Sequence, residues 1–321
     1  MAHGCAAIST PIATAYDSLG EEGLAHSLNE PNCAGIFTNA ELLPTVAKVV
    51  SQVPSLRLVI YDGTAKPAVL ESITNVREGV KVLSLNELRE LGRASQTDCT
   101  SRLPKPDDVA CIMYTSGTTG APKGVVITHS NLTATVGGIY KLLGHQFKHE
   151  DTFLAYLPLA HILEFVVELA LFWVGMTIGY GRVKTLTDQS VRKCKGDIAT
   201  FKPSIMIGVP AVWEMIRKGI VGKVNAGGTI KKKVFDGALA VKKAGVPGLS
   251  QVVDAAVLAQ VKAATGGRLR LALSGGAALS QTTQEFLSLA LVTVLQGTSV
   301  LNSICKRSCA DFLITTRVRS Y

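Results

Sequence analysis

The residues best suited to chemistry lie in one short segment, 114–124, with the sequence Tyr-Thr-Ser-Gly-Thr-Thr-Gly-Ala-Pro-Lys-Gly. Its glycines allow backbone N–H groups to turn toward an anion, and its Ser and Thr hydroxyls donate further hydrogen bonds. Lys123 adds a positive charge that can reach the β and γ phosphates of a nucleotide. This combination predicts a phosphate-binding loop.

The segment differs from a Walker A loop, in which Ser or Thr follows the lysine. Here Pro122 precedes Lys123 and Gly124 follows it. An alternative interpretation is a flexible surface loop rich in Ser, Thr and Gly. The apolar residues 109–114 predict a buried strand directly before the loop, and this arrangement favours phosphate binding.

The elements that must position the loop alternate along the chain. Short runs of Val, Ile and Leu alternate with helical patterns, which predicts an α/β fold of mostly parallel sheets flanked by helices. The predicted strands include residues 56–61, 109–114, 152–157, 204–208, 269–273 and 291–295. The predicted helices include residues 86–91, residues 130–143, a helix opened by Pro210, and a helix entered through Thr282 with Glu285 as its capping-box partner.

Composition and charge narrow the function classes. The chain has 321 residues, of which 47% are hydrophobic, and its net charge of +9 suits an anionic partner such as a nucleotide, CoA or an acidic membrane surface. The basic residues are scattered and aromatic residues make up only 6%, which argues against nucleic-acid binding. The 7 cysteines lack paired zinc-type spacing, which predicts reduced thiols in the cytosol or on its membrane faces.

Residues 162–181 are the stretch that raises the question of a membrane span. Glu164 and Glu168 interrupt it one helical turn apart. Acidic side chains are costly in lipid, so a core helix followed by a core strand is predicted instead. Met1 is not followed by the pattern of a secretory signal.

The loop resembles the phosphate loop of the adenylate-forming superfamily, which includes acyl-CoA ligases, luciferases and the adenylation domains of peptide synthetases. Four further stretches are similar to long-chain fatty-acid–CoA ligases in particular. One is 14–28, and the second is Tyr-Leu-Pro-Leu-Ala-His-Ile-Leu-Glu at 156–164. The others are Val-Pro-Ala-Val-Trp-Glu at 209–214 and Leu-Ser-Gly-Gly-Ala-Ala-Leu-Ser at 273–280, where Ala278 replaces the proline that is commoner in the family.

This resemblance implies ATP-dependent activation of a long-chain fatty acid. In that reaction the fatty carboxylate attacks the α-phosphate of Mg-ATP to give acyl-AMP and pyrophosphate, and the CoA thiol then displaces AMP. The implied partners are a fatty acid, ATP, Mg²⁺ and CoA, with no nucleic acid. A ligase for another carboxylic acid is the alternative within the same class.

The resemblance also implies roles for individual residues. The predicted phosphate-binding residues are Thr115, Ser116, Gly117, Thr118, Thr119, Gly120 and Lys123. Gly275, Gly276 and Ala277 are predicted to lie against adenine. Lys123 and His161 are the predicted catalytic residues, with His161 near the acyl carboxylate, although a core histidine with satisfied hydrogen bonds is an equal alternative. No residue is assigned as a metal ligand.

The resemblance covers about residues 10–297 and predicts a partial AMP-binding (adenylation) domain at 1–297. In the family a Tyr-Gly-x-Thr-Glu motif follows the position of Gly297, whereas here residues 298–321 form an unpatterned tail. Family members are longer, and their small C-terminal domain with its catalytic lysine is expected to be absent. The alternative function is therefore a non-catalytic truncated product with residual nucleotide or acyl binding.

The resemblance also implies the usual location of the family, at the cytoplasmic face of an internal membrane, with the endoplasmic reticulum as the first expectation. Peripheral association is the form expected, because the sequence contains neither a signal peptide nor a clear transmembrane helix.

Overall fold

A computed structural model of the chain describes residues 1–16, 19–115, 123–245, 248–263 and 265–297. The chain divides into two compact units, Met1–Thr133 and the residues from Ala134 onward. The first unit has two sheets and the second has one, and each unit has its own hydrophobic core.

The first unit contains two sheets. Its strands are β1 (Ile12–Thr14), β2 (Gly35–Asn39), β3 (Leu58–Asp62), β4 (Lys81–Ser84), β5 (Val109–Thr115) and β6 (Lys123–Thr128). Its helices are α1 (Ala2–Ala7), α2 (Gly20–Asn29), α3 (Leu43–Val49), α4 (Pro67–Thr74), α5 (Leu85–Ala94) and the start of α6 (His129–Leu143). One sheet has the parallel order β2-β3-β4, and the other has the order β1-β5-β6 with β5 and β6 antiparallel.

The first unit is held by apolar side chains between the β2-β3-β4 sheet and its helices. Leu43, Val50, Leu56, Val59 and Ile73 are completely buried there. Burying each such side chain contributes roughly 1.5–3 kcal/mol. The alternation of apolar runs with helices along the sequence is thus a direct consequence of covering a parallel sheet.

Local capping signals set several helix starts. At α5, the Ser84 hydroxyl accepts a hydrogen bond from the Glu87 N–H at 3.2 Å, and the Glu87 carboxylate accepts one from the Ser84 N–H at 2.7 Å. For the last helix in the described chain the predicted cap at Thr282 is wrong. Ser280 caps that helix, and its hydroxyl accepts from the Thr283 N–H at 3.3 Å.

The second unit is built on one parallel sheet in the order β11-β10-β9-β7-β8. Its strands are β7 (Thr152–Ala155), β8 (Thr177–Tyr180), β9 (Ile205–Gly208), β10 (Leu271–Ser274) and β11 (Val294–Gln296). Its helices are the rest of α6, then α7 (Ile162–Trp173), α8 (Asp197–Phe201), α9 (Pro210–Ala226), α10 (Gly228–Ala244), α11 (Leu249–Val253), α12 (Ala259–Ala263) and α13 (Gln281–Ala290).

Helices cover both faces of this sheet. Met206 packs on one face in a cluster with Trp213 of α9, while Ile205 and Ile207 pack on the other with Leu163 of α7. All four residues of β9 are buried, as expected for a central parallel strand. The α/β fold of mostly parallel sheets flanked by helices is confirmed.

The apolar stretch 162–181 forms α7 and β8, as predicted. Both Glu164 and Glu168 lie on the buried side of α7. Within the described residues, no helix is long and apolar enough to cross a membrane.

A buried ionic network ties together the starts of three strands in the second unit. The side chain of Asp151, which is 1% exposed, accepts hydrogen bonds from the Ser204 hydroxyl at 2.7 Å and from Nε of Arg270 at 2.8 Å. The Lys148 N–H donates to the same carboxylate at 2.8 Å. Because these residues directly precede β7, β9 and β10, the network fixes the N-terminal ends of three neighbouring strands.

Candidate functional site

The predicted phosphate loop connects two antiparallel strands of the first unit. β5 ends at Thr115, β6 begins at Lys123, and these two residues are register partners. The hairpin therefore brings the two ends of the loop together, with Lys123 exposed at its base. Five predicted loop residues lie outside the described residues, and their roles stay predictions: Ser116, Gly117, Thr118, Thr119 and Gly120.

The base of this hairpin is anchored by α2. Tyr114 is buried, its hydroxyl donates to Glu30 at 2.6 Å, and its ring meets the His26 ring edge-on at 6.0 Å between centroids. Burial, with the hydrogen bond to Glu30, raises the pKa of Tyr114. A Cβ at Gly124 would lie only 2.9 Å from Ile112, so the close approach of the strands requires glycine.

His161 begins α7 as its N-cap residue. Its Nδ1 accepts a hydrogen bond from the Leu163 N–H at 3.3 Å, and its own backbone N–H donates to the Pro158 carbonyl at 2.9 Å. Burial lowers the pKa of His161, which favours the neutral ring. Since Nδ1 is the acceptor, Nε2 carries the proton in that form. The side chain thus has a structural task, and its predicted catalytic role stays a prediction.

The predicted adenine-binding residues follow β10 at the carboxyl edge of the parallel sheet, where ligands bind in open α/β folds. The Gly275 N–H donates to the Gly208 carbonyl at 3.0 Å, and a Cβ at Gly275 would lie 3.1 Å from the Leu163 side chain. Gly276 has a φ of +82°, a conformation that favours glycine, and both it and Ala277 are exposed. The structure therefore brings Gly275 against Leu163 in the first turn of α7, two residues after the N-cap His161.

A polar network that the sequence interpretation missed supports this loop. Glu214 of α9 accepts hydrogen bonds from the hydroxyls of Thr283 and of Ser280, the latter at 3.1 Å. Arg217 donates to Thr283 at 2.9 Å and lies over the Phe286 ring at 5.6 Å. The hydrogen bond from Thr283 lowers the pKa of Glu214. The sequence contains Glu214 at the end of the stretch 209–214, but its partner Thr283 lies 69 residues later and is brought to it only by the fold.

The other missed group is a buried acid in the same corner. Glu164, in the first turn of α7, is 1% exposed, and no side chain among the described residues hydrogen-bonds its carboxyl oxygens. The Tyr156 backbone N–H lies near enough to oppose the rise in its pKa, but only in part. Burial, with the neighbouring charge of Glu168, raises the pKa of Glu164 to about 8. Glu168 itself accepts a hydrogen bond from the Tyr180 hydroxyl at 3.0 Å. This shift favours the protonated, neutral form of Glu164 near pH 7.

The candidate residues thus fall into two groups. Thr115 and Lys123 belong to the first unit, whereas His161 and the 275–277 loop lie together in the second. Within the described residues, no cluster of three or more His, Cys, Asp or Glu side chains could hold a metal ion. Chemically, the first group offers a cation and the second a neutral imidazole beside a glycine surface.

The sequence matches the model of a known family. The match to the family described as AMP-binding enzyme covers residues 1–298. The chain is 45% identical over 302 residues to long-chain-fatty-acid–CoA ligase 1 of Schizosaccharomyces pombe, with 92% of this chain and 44% of that protein covered. It is 39% identical over 308 residues to long-chain-fatty-acid–CoA ligase 4 of Saccharomyces cerevisiae, with 92% and 44% covered. The chain thus spans less than half the length of these curated relatives.

Solved structures share the fold. The adenylation domain of a carboxylic acid reductase from Segniliparus rugosus, determined with AMP and a co-purified carboxylic acid, matches with a TM-score of 0.69 at 19% identity. That match covers 92% of this chain and 45% of the other. The predicted adenylate-forming fold is confirmed, and the chain belongs to the AMP-binding enzyme family.

Proposed function

We propose that the protein to which this chain belongs activates a long-chain fatty acid with ATP, first to acyl-AMP and then to acyl-CoA. The identity of 45% to a long-chain-fatty-acid–CoA ligase is the observation that carries the proposal. The β5–β6 hairpin supports it, because it holds a Gly- and hydroxyl-rich loop between Thr115 and Lys123.

In this proposal each described residue has a defined task. Lys123 stabilises the negative charge of the triphosphate, Gly276 and Ala277 offer a flat surface to adenine, and the Nε2 proton of His161 faces the acyl carboxylate. CoA is the second substrate. Mg²⁺ accompanies ATP in the family, but the described residues contain no acidic cluster for it, so none of them is assigned as its ligand.

The test of substrate class compares palmitate, acetate and coumarate in a pyrophosphate-exchange assay. Palmitate as the preferred substrate supports the proposal, and preference for acetate or coumarate favours the alternative of a ligase for another carboxylic acid. Binding of nucleotide or palmitate without exchange favours the non-catalytic alternative.

We also propose peripheral association with an internal membrane, first of all the endoplasmic reticulum, which the net charge of +9 supports. Subcellular fractionation tests this, since recovery in the soluble fraction alone would contradict it.

Replacing Lys123 with alanine should weaken acyl-adenylate formation about 10- to 1000-fold, which corresponds to about 1.4–4 kcal/mol of transition-state stabilisation. The physical reason is the loss of the cation at the base of the loop. Pyrophosphate exchange with palmitate measures the effect. Lys81→Ala is the matched control, because Lys81 is also an exposed first residue of a strand in the same unit. Unchanged exchange in Lys123→Ala would show that the loop assignment is wrong.

His161 allows its two roles to be separated. Asparagine is a good N-cap, so His161→Asn should preserve the start of α7, whereas His161→Ala should cost about 1 kcal/mol of stability. If His161 also contacts the acyl carboxylate, both variants should lower exchange about 10-fold or more. Full exchange in His161→Asn, with reduced stability in His161→Ala, would restrict His161 to capping.

A further inference from the structure

Apart from Glu164, three hydrogen-bonding side chains in the second unit are buried without a partner among the described residues. They are Tyr156, Trp213 and Ser274, which are 5%, 0% and 2% exposed. Native proteins rarely leave such groups unsatisfied, because each buried donor without a partner is costly.

Two of these side chains meet above Gly208, and the third, Ser274, lies on the same face of the sheet on the next strand. A Cβ at Gly208 would lie 2.8 Å from the Tyr156 hydroxyl oxygen and 3.0 Å from Nε1 of Trp213. Ser274 is the register partner of Gly208 on the neighbouring strand, so its side chain points to the same face of the sheet. On the other side of β9, Phe153 of β7 is the register partner of Ile205. Tyr156 and Gly208 each follow three residues later, so they lie opposite one another.

The chemistry of the cluster defines what it can bind. The indole of Trp213 is a donor only, and the hydroxyls of Tyr156 and Ser274 can each donate one hydrogen bond. Burial raises the pKa of Tyr156, so its phenol remains protonated and able to donate. The two hydroxyls can also accept, so one water molecule can accept two hydrogen bonds, one of them from Trp213, and donate the third to a hydroxyl. Buried waters commonly make about three hydrogen bonds in all.

We propose that Tyr156, Trp213 and Ser274 form a buried binding site for one water molecule at the carboxyl edge of the sheet. The water joins three segments: the end of β7 that leads to His161, the first turn of α9, and the β10 end that leads to Gly275. It fixes these segments relative to one another. This inference does not depend on the proposed function.

The sign of a stability change tests the proposal in the 321-residue chain. If water satisfies the three groups, Tyr156→Phe and Ser274→Ala should each lower the folding equilibrium constant about 2- to 10-fold in urea denaturation. Their effects should also be less than additive, because both changes remove hydrogen bonds to the same water. Tyr140→Phe and Ser72→Ala, at exposed positions, serve as controls and should change little.

The opposite results would overturn the proposal. If the groups are unsatisfied, either variant should raise the equilibrium constant, because it removes a costly buried donor. Fully additive effects would show that no partner is shared. A further arm adds AMP or palmitate: stabilisation of the wild type that both variants lose would identify an oxygen of that ligand, rather than water, as the acceptor. If the added ligand changes the stability of wild type and variants equally, or changes none of them, the result supports water as the partner.

Discussion

Asp151→Ala should lower the free energy of unfolding by about 3–5 kcal/mol, the range for removing one partner of a buried ion pair. Asp151 is 1% exposed at its side chain, and its carboxylate contacts Ser204 and Arg270. The change leaves the Arg270 guanidinium, itself 27% exposed, beside a cavity with no counter-charge. Because Arg270 can still reach water, the lower half of the range is expected. Urea denaturation at pH 7 measures the loss.

Asp236→Ala is the matched control. Asp236 pairs with Lys232 at 2.5 Å, but both side chains are 53% exposed, and exposed helical pairs contribute only about 0.3–0.5 kcal/mol.

The pH dependence of the Asp151 contribution adds a second test. Burial raises the pKa of Asp151, but hydrogen bonds from Arg270, Ser204 and the Lys148 N–H outweigh it, and the pKa is lowered. The contribution of Asp151 is therefore present above its unfolded pKa and is lost as pH falls. A loss in Asp151→Ala no larger than in the control would contradict this account.

Glu164→Gln should remove a pH-dependent loss of stability that the wild type shows between about pH 4.5 and 8. Burial and the charge of Glu168 raise the pKa of Glu164 from 4.5 to about 8 in the folded chain. In that window the folded state keeps a proton that the unfolded state releases. The contribution is therefore complete below pH 4.5, falls as pH rises, and is lost above about pH 8.

The expected size is about 2–5 kcal/mol, since a shift of one pKa unit corresponds to about 1.4 kcal/mol and local rearrangement reduces the full value. Urea denaturation of wild type and Glu164→Gln at several pH values measures the difference. Glu168→Gln should reduce the total loss by shortening the pH window, because it removes the like charge that raises the pKa of Glu164. Glu90→Gln, at an exposed position, should leave it unchanged. Parallel pH profiles for wild type and Glu164→Gln would contradict the prediction.

A neutral Glu164 also has a consequence for the candidate site. Glu164 directly follows Leu163. The Leu163 N–H donates a hydrogen bond to the His161 side chain, and the Leu163 side chain packs on Gly275. Ionisation would place an unpaired charge in the first turn of α7, beside the residues proposed to meet the acyl carboxylate. Loss of order at this corner is thus expected at alkaline pH.

Local sequence patterns were sufficient for the fold class and for the strand that precedes the predicted phosphate loop. Apolar runs such as 109–114 and 204–208 predicted β5 and β9, and Pro210 predicted the start of α9. These signals work because side-chain periodicity and backbone restrictions act over a few neighbouring residues. The same locality explains the error at Thr282, since Ser280 also precedes the helix and only its geometry identifies it as the cap.

The tertiary structure alone decided the contacts between distant residues. Asp151 meets Arg270 119 residues later. Tyr156 and Trp213 meet above Gly208, with Ser274 on the same face of the sheet, because β7, β9 and β10 are neighbours. It also gave His161 a capping task that its residue type did not reveal. Which strands are adjacent, and hence which side chains share a buried pocket, depends on burying apolar area across the whole unit, and no short stretch of sequence contains that information.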